Sequence, residues 1–542
     1  MKTIHKDNPR WIKYLAIVFI VLGLFLRFHN LDLRPYWGDE ASTSIQIHGH
    51  IYNYFDSADF DKNPEFTNKF IGKIVTGKDL NDFLQVSPTF SAVDNVYLLA
   101  KLEPFSVPIY FILLRFWIEI FGNSIATIRS FSALIGVLTV FSVYWLSIEL
   151  FSSKTTAWIA MAIVSVSPFH IIYSQEARVY SLWTLTVILT NIALLRAVRL
   201  SNSLNWSIYC LSIIISIYTH IFSLSVLAGH VIFLFIYEKF RFTKKLIAQL
   251  SCTVIALICF FPWLINLLST RNYPQWSFDK IYKIPSHYLL LYFHNLGIIF
   301  ADFNVGVLSP KIAQFSYAFL LLGILTIVIC ALRFIYFKGE NFPRTFLLSV
   351  LIMSFVPFFL KDLFLGGGVT QVIRYFVPCW LAIELIVAYW LSNKIQSSIK
   401  SSRVIYQGIG LSLLLIGLIS GVLMTNSGFW WNKLEGNFNK QYAQQVIAKA
   451  KNPLLVTNNP YFPAVVSMST LVDPKTKFLL FTPNSEIKIP PGESDVFLFL
   501  YNYSDELFKK FEKNYKLEHV PLKDAYPGGG ITSKHFYRVI TN

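Results

Sequence analysis

Apolar runs of about 20 residues, the length that a membrane-spanning helix needs, recur along most of this chain and constrain its fold more than any other feature. Only 14% of the 542 residues are charged, and 54% are hydrophobic. A soluble fold with so few charges would have to expose apolar side chains over much of its surface. This balance excludes a soluble multidomain enzyme, a secreted disulfide scaffold and a disordered chain. It predicts an all-α polytopic membrane bundle.

The apolar runs define eleven predicted membrane crossings. Lys2, Lys6, Arg10 and Lys13 place the N-terminus in the cytoplasm, because basic residues collect on that side of a membrane. The crossings then alternate in direction over residues 11–28, 125–150, 155–173, 179–199, 205–220, 222–238, 246–268, 312–336, 345–361, 375–391 and 404–424.

The apolar segment 104–121 is predicted to be an interfacial or re-entrant helix rather than a crossing. Counting it as a crossing would reverse every later loop and would place the basic cluster 239–245 outside. With this segment left out, every predicted inner connection is basic. The formal charge of +16 is therefore a topology signal, and no nucleic-acid partner is predicted.

Two polar regions lie on the predicted outer side. The first is a large loop over residues 29–103, whose acidic residues include Asp56, Asp59, Asp61 and Glu65. The second is residues 429–542, which have a globular composition and predict a small C-terminal α/β soluble domain after a membrane module over residues 1–428. In this domain hydrophobic periodicity predicts strands at 454–457, 478–481, 496–500 and 536–540, and helices at 442–451 and 505–515.

Ionisable residues in four short segments at the predicted outer face are the candidates for chemistry, because charged groups near lipid are costly and usually functional. Asp39 and Glu40 follow the first crossing. The alternative for Asp39 is the N-cap of a helix. Glu176 and Arg178 lie with Tyr180 near a short turn between crossings. The alternative for the first two is a mutual surface ion pair.

The other two segments contain His220, at a predicted helix break, and Arg374 with Tyr375 after three consecutive glycines. A satisfied polar contact is the alternative for His220, and interfacial snorkelling is the alternative for Arg374. Together the four segments bring carboxylates, a histidine and arginines to one side of the membrane. Transfer from a lipid phosphate fits this set, since arginine donates bidentately to phosphate and a carboxylate accepts the proton of an attacking hydroxyl.

The order of these motifs resembles that of a known superfamily. Asp39-Glu40 is followed by PIYFILLRFW at 108–117, FGNS at 121–124, Arg129-Ser130, EARVY at 176–180 and RYFVP at 374–378. This order is similar to that in the GT-C membrane glycosyltransferases, in the branch of the protein O-mannosyltransferases and the lipid A aminoarabinose transferase. The resemblance covers about residues 11–390.

The resemblance implies an inverting glycosyltransferase with a polyprenyl-phosphate-linked sugar donor and an outer-face active site. Asp39 would be the catalytic base, and Glu176, the other implied catalytic residue, would supply a second acidic side chain. The implied substrate-binding residues are Glu40, Arg178, Tyr180, His220, Arg374 and Tyr375. No cofactor is required in this branch, and a divalent metal, though compatible with the chemistry, is not indicated. The implied setting is a bacterial inner or plasma membrane, and the partners are the donor, membrane lipid and a protein, lipid or glycan acceptor.

One loop departs from the family pattern. Relatives have His or Glu-Lys beside a proline pair ahead of the interfacial helix, whereas this chain has Ser106-Val107-Pro108, with Lys101 and Glu103 upstream. Lys101 is the candidate phosphate contact from this loop.

Two other functional classes remain open from the sequence. The first is a lipid or sugar transporter or flippase, although transporters typically place ionisable residues near the bilayer midplane. The second is a non-catalytic receptor or assembly subunit.

Overall fold

The computed structural model describes residues 10–48, 69–86, 90–269, 285–305, 309–433, 435–457, 462–481, 488–500, 505–522 and 536–540. The loop residues Asp56, Asp59, Asp61 and Glu65 lie outside the described residues.

Helices make up most of the described chain before the C-terminal region. The first group is α1 Arg10–Phe28, α2 Gly38–Ile47, α3 Gly77–Asn81, α4 Ala92–Leu102 and α5 Ile109–Phe121. The second group is α6 Ile125–Phe151, α7 Lys154–Val166, α8 Pro168–Ser174, α9 Tyr180–Leu200, α10 Ser203–Thr219, α11 Ser223–Tyr237 and α12 Lys244–Ser269. The third group is α13 Pro285–Ile298, α14 Lys311–Lys338, α15 Asn341–Leu365, α16 Val377–Ile395 and α17 Lys400–Thr425.

The predicted membrane bundle is confirmed. Within the described ranges, eight helices are long and apolar enough to span a membrane, and the bent pair α7–α8 makes a ninth if it is one span. The shorter apolar helices α10 and α11 lie where the two remaining crossings are predicted. Helix α5 has 13 residues and contains the ion pair between Arg115 and Glu119, which agrees with the predicted interfacial helix.

The two ends of helix α6 have different surroundings. Near its start, Arg129 contacts the loop that follows α1. Near its end, Glu149 pairs with Arg196 and Arg199, two of the basic residues that the sequence assigns to inner connections. Helix α6 has 27 residues, which separates the two ends by about 40 Å. The bundle therefore has one end with basic connections and an opposite end where Asp39 and Glu40 lie.

A six-stranded sheet lies at the Arg129 end. Its strands are β1 Ile74–Thr76, β2 Pro453–Thr457, β3 Lys477–Leu480, β4 Asp495–Phe499, β5 Lys516–His519 and β6 Phe536–Ile540, in the order β1-β3-β2-β4-β6-β5. Strand β2 is parallel to β3 and β4, and the other pairs are antiparallel. The associated helices are α18 Glu435–Gln445, α19 Phe462–Ser469 and α20 Asp505–Asn514. All four predicted strands are present.

Three features of this sheet region differ from the prediction. The first loop contributes β1, whose Val75 pairs with Phe478 of β3, so the sheet is shared between two distant parts of the chain. Strand β5 and helix α19 were not predicted. The predicted helix 442–451 is wrong, because α18 begins earlier and places Phe438 and Tyr442, which are one helical turn apart, in the buried core.

A break between α7 and α8 bends the chain by 57° at Pro168. Proline has no backbone N–H, so the carbonyl of Val164 loses its helical donor. The guanidinium of Arg27 in α1 donates to the carbonyl oxygens of Val164 at 3.1 Å and Ser165 at 2.6 Å. This contact requires Gly23, since a Cβ there would lie 2.2 Å from the Ser165 carbonyl oxygen. A buried arginine thus satisfies the break in a neighbouring helix.

We expect Arg27→Met to destabilise the bundle by about 2 kcal/mol or more, because it leaves buried carbonyl groups without donors. Thermal unfolding of the purified protein in detergent measures the effect. Arg10→Met, at the exposed start of the same helix, is the control and should leave the midpoint unchanged. Equal midpoints for the two variants would contradict the assigned role.

Candidate active site at one end of the bundle

Arg129 fixes the loop that leads into α2. Its guanidinium donates to the backbone carbonyls of Leu31 at 2.6 Å, Arg34 at 3.0 Å and Pro35 at 2.8 Å. Its Nε and Nη2 also make a bidentate contact with Glu40, at 2.8 and 2.6 Å. One buried arginine therefore sets both the approach to α2 and the orientation of its first turn.

Helix α2 begins at Gly38, and Trp37 is its N-cap, without a side-chain capping hydrogen bond. Asp39 therefore lies within the first turn, and the alternative that it caps the helix is wrong. Asp39 and Glu40 point in directions about 100° apart, since an α-helix has 3.6 residues per turn. Their side chains have different surroundings as a result: that of Glu40 is fully buried, whereas that of Asp39 is 11% exposed.

Glu40 is held by protein groups on several sides. Besides Arg129, it accepts hydrogen bonds from the backbone N–H of Ala177 at 2.9 Å and from Nζ of Lys433 at 2.8 Å. Burial opposes its ionisation, but the charges of Arg129 and Lys433 and these hydrogen bonds hold the pKa of Glu40 well below its usual range. The carboxylate of Glu40 is thus buried and paired with two cationic side chains and one backbone N–H.

Asp39 faces Arg374. One carboxylate oxygen of Asp39 lies 3.2 Å from Nη2 of Arg374. The guanidinium carbon of Arg374 lies 5.6 Å from the ring centres of Trp37 and Tyr180 and 5.8 Å from that of Tyr375. Its buried Nε has no hydrogen-bond partner in the part of the chain that the structure describes. An arginine with spare donors therefore lies beside a partly exposed carboxylate, within a cluster of aromatic rings.

The turn between α8 and α9 adds Glu176 and Arg178. Glu176 is 1% exposed and accepts from Asn432 at 2.5 Å, with Nζ of Lys433 at 3.2 Å from the same oxygen. Arg178 donates to the carbonyl of Asp39 at 3.0 Å. The alternative of a mutual surface ion pair is wrong, because Glu176 is buried and pairs with a lysine from the C-terminal region.

His220 follows α10 and lies behind the aromatic cluster. Its ring stacks on Trp183 at 4.1 Å and lies 6.3 Å from the ring of Tyr375. Its Nδ1 accepts from the backbone N–H of Phe222 at 3.2 Å. Burial, together with the charges of Arg178 and Arg374, lowers the pKa of His220 to about 3, so the ring is neutral at physiological pH. These contacts match the alternative of a satisfied polar residue.

Lys101 lies in the last turn of α4, and its ammonium lies 4.4 Å from the ring centre of Tyr97. Seven of the other predicted residues are joined by hydrogen bonds, ion pairs or ring contacts: Asp39, Glu176, Arg178, Tyr180, His220, Arg374 and Tyr375. Glu40 joins this cluster through Lys433, which it shares with Glu176.

Several residues at the site were missed from the sequence. Lys433 and Asn432 come from the segment after the last membrane helix, and Glu103 lies between α4 and α5. Nothing in the local sequence distinguishes Lys433 from a solvated lysine. Its burial between two carboxylates depends on tertiary contacts more than 250 residues apart in sequence.

Among the described residues, no group of three or more His, Cys, Asp or Glu side chains is arranged to hold a metal ion.

Glu103 is a fourth carboxyl group at the site, after Asp39, Glu40 and Glu176. It accepts a hydrogen bond from Gln46 of α2 at 2.5 Å. Burial, together with the negative charge of Asp39, raises the pKa of Glu103 to about 7, although Arg178 and Gln46 oppose the shift. Glu103 therefore changes charge near neutral pH in the folded protein.

We expect Glu103 to make folding stability depend on pH. Between about pH 4.5, the ordinary value, and pH 7, the folded protein holds a proton that the unfolded chain has lost. Stability from this group is therefore complete below that window and decreases as pH rises through it. Glu103→Gln should flatten the decrease in unfolding midpoint over this range, whereas Glu119→Gln, in the exposed half of a pair with Arg115, should not. Parallel curves for Glu103→Gln and the unmodified protein would contradict this assignment.

Comparisons with known proteins match this chain to a known fold. Residues 103–266 match the family model of the dolichyl-phosphate-mannose-protein mannosyltransferases. The crystal structure of ArnT from Cupriavidus metallidurans bound to undecaprenyl phosphate matches with a TM-score of 0.52 and 11% identity, covering 97% of this chain and 98% of that one. Its apo state matches with a TM-score of 0.52 and 12% identity, covering 97% of both chains.

The crystal structure of the apo oligosaccharyltransferase of Archaeoglobus fulgidus matches more weakly, with a TM-score of 0.44 and 12% identity, covering 89% of this chain and 65% of that one. No curated protein matches the chain significantly by sequence. The match to ArnT over nearly the whole of both chains shows that the two proteins share the GT-C fold.

Proposed function

We propose that this multi-pass membrane protein, which has the GT-C fold, is a glycosyltransferase that moves a sugar from a polyprenyl-phosphate donor to an acceptor hydroxyl. The observation that supports this most directly is the contact between Asp39 and Arg374. A partly exposed carboxylate beside an arginine with an unpartnered Nε offers a proton acceptor and a phosphate-binding group at one place. The matched ArnT structure contains undecaprenyl phosphate, which agrees with a lipid phosphate as ligand.

Arg374 would bind the phosphate of the donor. The phosphodiester of the donor carries one negative charge shared by two non-bridging oxygens, which fit the two-pronged guanidinium, so it competes with Asp39 for this arginine. The rings of Trp37, Tyr180 and Tyr375 hold the guanidinium in place by cation–π contacts. Donor binding would therefore release Asp39 from this ion pair, and an acceptor hydroxyl could then approach its carboxylate.

The chemical step would be a single displacement at the anomeric carbon. Asp39 takes the proton of the acceptor hydroxyl while the acceptor oxygen forms a bond to that carbon. The bond from the carbon to the phosphate oxygen breaks, and its electron pair leaves with the polyprenyl phosphate. Arg374 stabilises the negative charge that develops on this leaving group. One displacement from the opposite face inverts the anomeric configuration.

The remaining residues would act around this step. Glu40 and Glu176 are buried and paired with cations, which favours positioning roles for both over direct contact with substrate. Arg178 anchors the first turn of α2 through the Asp39 carbonyl. His220 supports the aromatic cluster as a neutral ring. Lys101 remains a candidate for contact with a long lipid-linked substrate at the edge of the site.

The same reasoning predicts the orientation in the membrane. The basic connections at the Glu149 end favour the cytoplasmic side, so the Asp39 site and the shared sheet would lie on the extracytoplasmic side. A bacterial inner or plasma membrane is the proposed location, and a protein, lipid or glycan hydroxyl is the proposed acceptor.

A product assay tests this proposal. Purified protein in detergent is supplied with polyprenyl-phosphate hexoses and pentoses together with candidate acceptors, and products are identified by mass spectrometry. A glycosylated acceptor and free polyprenyl phosphate in equal amounts are the expected result. The same protein reconstituted into vesicles tests the alternative. Movement of intact donor across the vesicle membrane, without chemical conversion of any donor, would indicate a transporter.

A further inference from the structure

The segment that follows α17 returns to the bundle instead of leading directly into the C-terminal sheet. The indole N–H groups of Trp430 and Trp431 both donate to one carboxylate oxygen of Asp302, at 2.8 and 2.7 Å. Asn304 accepts from the backbone N–H of Trp431 at 3.1 Å. These contacts fix the short helical turn Trp431–Lys433 against the membrane module.

Lys433 is fully buried at the end of this turn. Its Nζ lies 2.8 Å from a carboxylate oxygen of Glu40 and 3.2 Å from one of Glu176. The same ammonium lies 5.8 Å from the ring centre of Trp37. Lys433 therefore joins three parts of the chain: the start of α2, the turn between α8 and α9, and the segment after the last membrane helix.

Each of these contacts leads to Asp39 through at most one further residue. Glu40 is the next residue in the first turn of α2. Trp37 lies between Lys433 and Arg374, the partner of Asp39. The turn that contains Glu176 also provides Arg178, which donates to the Asp39 carbonyl.

We propose that Lys433 is a positioning residue for Asp39, so that the C-terminal region completes the active site; this rests on the proposed glycosyl transfer. Without Lys433, two buried carboxylates, Glu40 and Glu176, would lose a shared cation. The uncompensated charge of Glu176 would disturb its turn, and Arg129 would be the one ionic partner left to Glu40 among the residues that the structure describes.

The shared sheet and the packing of α2 hold the C-terminal region against the segment that contains Asp39. Strand β1 of the first loop pairs with β3 of the C-terminal region. Helix α2 packs against α19 of the C-terminal region, and Gly436 lies so close to Trp37 that a Cβ would be 2.9 Å from its Cβ. The element that bears Asp39 is thus packed on the same unit that carries Lys433.

Transfer kinetics of Lys433→Met test the proposal against a matched control. We expect kcat to decrease roughly tenfold or more, because truncation of one partner in a buried charge cluster leaves the others uncompensated. The KM for the donor should change little, since Lys433 touches no donor-binding group directly. Lys433→Arg should restore part of the rate. Lys440→Met removes an amine of the same region that donates to the Leu33 carbonyl and lies 5.6 Å from the ring centre of Phe429, and it should keep kcat.

Two further measurements separate positioning from a general loss of folding. Adding Glu176→Gln to Lys433→Met removes the uncompensated carboxylate and should recover part of kcat. Hydrogen exchange should be faster over residues 38–47 and 174–180 in Lys433→Met than in Lys440→Met. If Lys433→Met fails to fold, Lys433→Arg alone with the exchange measurement decides the question.

The outcomes distinguish this inference from the proposed function. Unchanged kcat in folded Lys433→Met, or a loss that neither Lys433→Arg nor the added Glu176→Gln relieves, would overturn the positioning role while leaving glycosyl transfer in place. If the unmodified protein transfers no sugar, the proposed function fails instead. Unchanged exchange over residues 38–47 would then overturn the structural role of Lys433 as well.

Discussion

Asp39→Asn should reduce sugar transfer by about 10²- to 10⁴-fold, the usual contribution of a general base. Asparagine has almost the same shape as aspartate but cannot accept the proton of an acceptor hydroxyl at neutral pH. The first turn of α2 is held by Glu40, Arg129 and the Arg178 contact to the Asp39 carbonyl, none of which needs the Asp39 side chain. Folding and membrane insertion should therefore be retained.

Initial rates with a saturating donor, compared at equal amounts of monodisperse protein, measure this effect. Asp32→Asn is the matched control, because Asp32 is an exposed carboxylate in the same loop, and its transfer rate should equal that of the unmodified protein. Near-normal transfer by Asp39→Asn would exclude Asp39 as the base. Glu103, whose pKa the charge of Asp39 helps to raise, would then be the next carboxyl group to test.

The membrane bundle could be predicted from sequence because its determinants are local. A run of apolar residues long enough for the hydrocarbon core is read directly from the chain. The basic connections then exclude segment 104–121 as a crossing. The sheet was predicted only in part, because its pairing depends on contacts between residues that are distant in the sequence. Strand β1 is three residues long and comes from a polar loop, and its pairing with β3 joins residues about 400 positions apart.

Most residues of the cluster around Asp39 could be predicted from the sequence, but the partner of each side chain could not. Asp39 and Glu40 are neighbours of similar chemistry, and the sequence does not indicate which of them faces a substrate. Their directions on α2 decide it, since one side chain points to Arg129 and Lys433 and the other to Arg374. The positioning role proposed for Glu176 also differs from the catalytic role that the resemblance implies. Its partner Lys433 lies in a region outside that resemblance.

Arg374→Met should weaken binding of a polyprenyl phosphate by roughly 30-fold or more, because loss of one partner of a desolvated charge contact costs about 2 kcal/mol or more. Methionine retains contact with the aromatic cluster but removes the guanidinium donors. Native mass spectrometry or a fluorescence titration in detergent, with the phosphate alone as ligand, measures the affinity. Arg344→Met, an arginine at the start of α15 whose described contacts are with Tyr336 and Asn341, controls for the loss of one positive charge.

The Asp39→Asn variant makes the same experiment more specific. In the unliganded protein Asp39 pairs with Arg374, and an incoming phosphate must displace it. Neutralising Asp39 should therefore keep the affinity for polyprenyl phosphate or increase it, even though transfer is lost. Opposite effects of the two substitutions on binding, with loss of transfer in both, are expected only if the ion pair is exchanged for a phosphate contact. A parallel loss of affinity in Asp39→Asn would show that Asp39 holds Arg374 in its binding orientation, and donor binding would then not release the base.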